Sequence, residues 1–212
     1  MDNNSVIVID NLQKDQKFTV GNNENKTFVI FLTGEGVQNG DVKIIIEGEK
    51  AHAQILGIIV GFGKQKIELY TLQDHIKPES VSDLFIKSVL FDEAKFYYKG
   101  LIKIEKDAQK SNAYQKNQNL LLSKNASADS RPYLEILAND VRCTHGATIG
   151  QIDKNQLYYL QTRGLSNQAA THLIVEGFYQ EVLERIPDDK IRKELAEKIN
   201  KKIKFLLSKG TN

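Results

Sequence analysis

Between Thr27 and about Ile152 apolar and polar residues alternate one by one, in short runs that break at Gly, Asn and Asp. Phe28, Ile30 and Leu32 alternate, as do Val42, Ile44 and Ile46, then Ala53, Ile55, Gly57 and Ile59, then Ile67, Leu69 and Thr71. Side chains two apart share one face of a strand, so this period predicts a succession of half-buried strands. The plainest is Ala94, Phe96, Tyr98, Gly100, Ile102 and Ile104 against Lys95, Lys99 and Lys103, with Tyr97 and Leu101 on the charged side. A small residue follows a polar turn-former at Glu93-Ala94, Asp107-Ala108 and Asn125-Ala126, at spacings of 14 and 18 residues. That is the scale expected of one coil of a solenoid, where a small side chain lets the backbone turn inward. An antiparallel sandwich is the competing architecture, with Asn39-Gly40 as its one good hairpin signal. The amide-rich stretch Gln115 to Asn119 suits stacked ladders at solenoid corners or a plain polar loop, and His75 to Ser82, with Pro78, reads as a turn between coils.

After Ile152 the period becomes helical. Asp153 caps a short helix through Thr162, ended by Gly164; Ser166 caps a second that runs to about Arg185, before Pro187; Asp188 or Asp189 starts a third, closed by Gly210. Ile174, Val175, Phe178, Tyr179, Val182, Leu183 and Ile186 form the apolar stripe of the second, and Ile191, Leu195, Ile199, Ile203 and Leu206 that of the third. Leu173 lies off the stripe, ringed by Glu176, Gln180 and Glu184: an ordinary exposed leucine or a docking spot for a partner. The chain therefore divides into an N-terminal arm or capping strand (1–26), a mainly β solenoid core (27–152) and a C-terminal helical segment (153–212).

Composition narrows the function. The 212 residues suffice for a real core. A single cysteine excludes an internal disulfide and, with no secretory leader, points to a reducing, cytoplasmic setting. No apolar run approaches the roughly 20 residues that span a bilayer. Lys plus Arg number 29 against 27 Asp plus Glu, so there is no overall field to gather nucleic acid. Gly57 to Lys64 is superficially like a phosphate loop, but the lysine is misplaced, Gln65 replaces the metal-binding hydroxyl and a strand follows, which excludes nucleotide hydrolysis by this chain.

The chemistry that is left sits in Asp140 to Gln151. In a strand, Val141, Cys143, His145, Ala147 and Ile149 share one face, which sends a thiol and an imidazole to the same side. One reading is a small buried thiol beside a hydrogen-bonded core histidine. The other is half a metal site: a borderline metal takes about four ligands, so another chain or ligand would complete the shell. A cysteine hydrolase would need His52 or His75 to fold back onto Cys143, because side chains two apart on a strand run parallel.

The stretch from about Asp92 to Ile186 resembles the SufB/SufD family of iron-sulfur cluster assembly proteins. The motifs come in order: Asp107-Ala108-Gln109-Lys110, Ala113-Tyr114-Gln115, Asn119 to Leu122, Pro132 with Leu134-Glu135-Ile136, Val141 to Gln151, Gln156 to Leu160, Arg163-Gly164-Leu165, Ala169, and Glu181-Val182-Leu183. Gly146 after the motif histidine, followed by Ala147-Thr148 and Gly150-Gln151, is similar to the SufD branch. The resemblance implies a right-handed parallel β-helix with a helical C-terminal segment, and a noncatalytic scaffold subunit. Such a subunit pairs with a SufB-like partner and is coupled to a SufC-type ATPase. It further implies that Cys143 and His145 hold iron or a transient iron-sulfur cluster at the subunit interface, with a SufB-like principal scaffold or a homodimer as alternatives. Leu157, Tyr158, Leu160 and Arg163, with Leu173 on the next helix, fall in the implied ATPase-docking region. Against that family the chain is about half the usual length, and residues 1 to 90 match loosely. The rivals of another class are a small cysteine hydrolase and an inert β-solenoid binding module.

Overall fold

The computed structural model describes residues 4–35 and 38–209; Gly210, expected to close the third helix, lies outside them. Eleven strands follow one another: β1 (Asn4–Ile9), β2 (Gln16–Val20), β3 (Asn25–Leu32), β4 (Gln38–Ile46), β5 (His52–Gly61), β6 (Lys66–His75), β7 (Val81–Leu90), β8 (Lys95–Ile104), β9 (Asn112–Leu121), β10 (Ser127–Ile136) and β11 (Arg142–Gln151). Odd strands stack in one parallel sheet, β1-β3-β5-β7-β9-β11, and even strands in a second, β2-β4-β6-β8-β10. The molecule is thus a flattened parallel β-helix of about five turns followed by three helices. Its first coil is built from β1 and β2, inside the segment expected as an arm or capping strand.

A full coil takes about 30 residues, since Lys66, Lys95 and Ser127 are in register. The spacings of 14 and 18 are therefore single crossings of the solenoid, half a coil each. Ala94, Ala108 and Ala126 are all buried at the corners, where their size lets the chain reverse. Asn39-Gly40 is no hairpin; both residues lie inside β4, paired in parallel with Glu68 and Leu69 of β6. Corners close with residues in the left-handed region: Asn23, Lys50, Glu79 and Lys110 all have φ between 54° and 59°. Each donates its N–H to a carbonyl of the next coil, Asn23 to Glu49, Lys50 to Pro78, Glu79 to Gln109 and Lys110 to Asp140, at 2.6 to 3.4 Å. That bond offsets the roughly 1–2 kcal/mol a side chain costs there.

The inner faces form a main core, from Phe28, Ile30 and Leu32 through Ile55 and Ile59 to Leu84, Phe96 and Tyr98, and a smaller separate cluster around Ile102 and Ile104. The outer face of the odd sheet is also buried at β3, β5 and β7, because Val29, Phe31, Leu56, Ile58, Phe85 and Val89 pack under the helices. Alternation along these strands reports only the inner face. The helices are α1 (Lys154–Thr162), α2 (Asn167–Leu183) and α3 (Asp189–Ser208), capped by Asp153, Ser166 and Asp188, whose side chains accept from Asn155, Ala169 and Ile191 N–H. Val175, Tyr179, Val182 and Leu183 of α2 meet Leu195, Ile199 and Ile203 of α3. No helix among the described residues is long and apolar enough to cross a membrane.

Candidate functional site

β11 is the last strand of the odd sheet and β10 the last of the even sheet, so among the described residues no further coil covers this end. Side chains that would be core elsewhere are open here: Leu134 is 38% exposed, Ile136 40% and Ile149 48%. Cys143 and His145 stand on this uncovered inner face, about 7 Å apart along the strand. Cys143 is half-buried, stacked on Ala113 and packed against the small cluster of Ile102, Ile104, Ala108 and Ala138. Burial pushes its thiol up from the ordinary value, so a metal bound there would have to displace a proton. His145 is exposed, stacked in register on the buried Gln115.

The layer beneath is polar. Gln115, Asn117 and Asn119 of β9 are buried inside the solenoid, between coils and not at its corners. Gln115 accepts from Gln73 at 3.3 Å and donates to the Gly100 carbonyl at 3.4 Å. Asn119 accepts from Ser88 Oγ at 2.7 Å and donates to Asn117 Oδ1 and to the Thr148 carbonyl of β11, at 2.7 and 3.0 Å. The side chains therefore tie the last strand to the coil below it.

The two histidines that a hydrolase would need are elsewhere. His52 opens β5, its Nδ1 2.9 Å from Asn25 Oδ1, and β7 and β9 lie between it and β11. His75 is engaged at both ring nitrogens, by Ser80 Oγ at 2.7 Å and Ser82 Oγ at 2.8 Å, and burial holds its pKa down at about 4. Among the described residues no three His, Cys, Asp or Glu side chains converge to hold a metal ion. Cys143 and His145 are a soft sulfur and a nitrogen, donors that suit iron or an iron-sulfur cluster, but two of a set of about four.

The helix residues expected to dock a partner divide between two places. Leu160 and Leu173 meet in a groove of about 490 Å³ between α1 and α2, with Tyr159, Ile174, Gly177 and Phe178. Leu157 instead lines a second hollow of about 480 Å³ with Leu121, Ile152, Thr171 and Leu207, against the end of the solenoid. Tyr158 is 68% exposed, and the Arg163 guanidinium lies over the Tyr159 ring, 5.1 Å from its centroid. The reading of single residues missed Tyr159 and Gly177. Gly177 carried a signal: a glycine inside a helix costs about 1 kcal/mol, and here a Cβ would meet nothing within 4 Å, so this chain's own packing does not require it.

Comparison with known proteins agrees with this arrangement. The family model described as SUF system FeS cluster assembly, SufBD core domain, matches residues 11–178. The chain is 31% identical over 173 residues to the iron-sulfur cluster assembly protein SufD of Escherichia coli (strain K12), covering 82% of this chain and 41% of that protein. It is 33% identical over 157 residues to SufD of Bacillus subtilis (strain 168), covering 74% and 36%, and 31% identical over 183 residues to SufD of Plasmodium falciparum (isolate 3D7), covering 85% and 12%. The chain thus spans less than half the length of these relatives. A parallel β-helix leading into capped helices, and a match over most of the solenoid and into α2, leave one assignment: the chain belongs to the SufBD core domain family of iron-sulfur cluster assembly proteins, as a SufD-like member.

Proposed function

We propose that this chain is a scaffold subunit of the SUF assembly complex, working in the cytoplasm, which pairs through its open coil with a SufB-like subunit. Cys143 as thiolate and His145 as neutral imidazole then supply part of the coordination sphere of a nascent iron-sulfur cluster, which is cargo for this protein and not a resident group. The observation that carries the proposal is the position of Cys143 and His145 on the uncovered face of the last coil, beside two unpaired strand edges. An edge strand offers free N–H and C=O groups to another chain, and pairing there would cover Leu134, Ile136 and Ile149 together. The groove at Leu160 and Leu173, with Tyr158 and Arg163 on the same helical segment, is the proposed seat of a SufC-type ATPase, and Leu157, in the neighbouring hollow, is left out of it. The groove's walls are mostly apolar, from Tyr159, Leu160, Leu173, Ile174 and Phe178, which suits an apolar partner segment.

The test is anaerobic reconstitution with ferrous iron and sulfide, with the chain alone and with a SufB-like subunit. Cys143→Ser and His145→Ala should each lower the iron bound by the pair, by about half or more, with little change in the chain alone. Equal iron in all variants sinks the site. Iron bound fully by the chain alone, with two chains per cluster, assigns the interface to a homodimer instead. A cysteine hydrolase needs an activated thiol, and the raised Cys143 thiol opposes that reading.

A further inference from the structure

Lys87 points outward from β7 beneath α2, and only 3% of its side chain reaches solvent. A buried ammonium costs several kcal/mol unless it is well paired, and an apolar residue of the same length would pack there at less cost. Its Nζ donates to the Phe178 backbone carbonyl at 2.7 Å and to Glu181 Oε2 at 2.6 Å, and lies 4.4 Å from the Phe178 ring centroid. Lys116 of β9 and Arg185, just past the end of α2, stand over the neighbouring Phe85 ring, and Asp83 pairs with Arg185 at 3.3 Å. Phe178 also lines the groove between α1 and α2, so Lys87 holds one wall of that groove to the odd sheet.

On the other face of the same strand the next residue begins a relay. Ser88 Oγ donates to Asn119, and Asn119 donates to the Thr148 carbonyl, three residues beyond His145 on β11. The backbone ladder runs alongside, with Lys87 in register with Gln118 and Gln118 with Thr148. The Tyr179 hydroxyl, a second polar anchor of α2, donates to the Ile59 carbonyl of β5 at 2.6 Å and meets the backbone of Val89, next to Ser88 on β7, whereas Glu176 of the same helix faces α3 and accepts from Asn200 Nδ2 at 3.2 Å.

We infer that Lys87 is the positioning residue that couples the α1–α2 groove to β11, so that what seats in the groove alters the exposure of Cys143. The part played by an ATPase in this coupling rests on the docking proposed above; the coupling within the chain does not.

Cys143 is the chain's only cysteine, so its alkylation by iodoacetamide reports the last coil alone. In the free chain, Lys87→Met should raise the alkylation rate about threefold or more, and Glu181→Gln should raise it in the same direction. Asn200→Ala, which loosens the same helix at α3, should leave the rate within about 1.5-fold of wild type. Cooperative melting by circular dichroism confirms that each variant is folded, and Glu181→Gln decides the question if Lys87→Met does not fold. Rates equal to wild type in the folded Lys87 and Glu181 variants, or an equal rise in Asn200→Ala, overturn the inference. With a SufC-type ATPase added at saturation, the wild-type rate should change and the Lys87→Met rate should not, at similar Kd. An ATPase that does not bind wild type overturns the docking alone, because the free-chain arm needs no partner.

Discussion

His75 is a core residue whose chemistry was set by where the coil put it. Both ring nitrogens are occupied by serine hydroxyls inside the solenoid, and the folded chain binds its proton only near pH 4, against 6.5 in the unfolded chain. Between those values the unfolded state holds more protons, so stability falls as pH drops through that window, by up to about 3 kcal/mol at the acid end. Urea titrations from pH 7 to pH 5 should show that loss, and His75→Gln should flatten it; an unchanged slope would mean that His75 is not neutral in the fold. Of the candidate site, the pairing of Cys143 with His145 on one face was legible, because strand alternation is a local property. The burial of Gln115, Asn117 and Asn119 was not. A polar row looks like a loop until the coils that satisfy its amides are stacked around it.

Corners, not strands, carry the tightest constraints. A Cβ on Gly48 would lie 2.0 Å from the Gly21 backbone carbon of the preceding coil, and backbone cannot move aside as a side chain end can. Gly48→Ala should therefore cost about 2–4 kcal/mol in chemical denaturation, and a change below about 0.5 kcal/mol would show that the corners do not stack this closely. Helix starts were legible to within a residue: Asp153 and Ser166 accept bonds from the first turn as expected, and of Asp188 and Asp189 it is Asp188 that caps the third helix. Capping is an interaction within four residues. The coil length was misjudged by a factor of two because small residues recur at both corners of each turn, and spacing alone does not tell one corner from the other.

The assembled solenoid is asymmetric. Helices α2 and α3 cover the odd sheet, while the even sheet's outer face is wet and the end carrying β10 and β11 is open. The open end is where association belongs. Ile149→Lys, at a side chain already 48% exposed, should leave the melting temperature nearly unchanged while weakening pairing with a SufB-like subunit about tenfold or more, measured by calorimetry. Unchanged affinity would move the interface away from the last coil. The docking residues show the same dependence on assembly. Leu160 and Leu173 converge only because α1 and α2 cross, and Leu157 turns to the solenoid instead.

Strand period, helix caps, apolar stripes and the ordered motifs are local or nearly so, and each was readable along the chain: a β-solenoid, three helices and a thiol beside an imidazole. Which coil is last, which outer face the helices cover, and which buried amides and ammonium are paired depend on contacts between residues 29 to 91 apart. Alternation places a side chain on a face; only stacking determines whether that face meets another coil, a helix or water. That difference leaves Cys143 and His145 at an open edge and Lys87 beneath a helix.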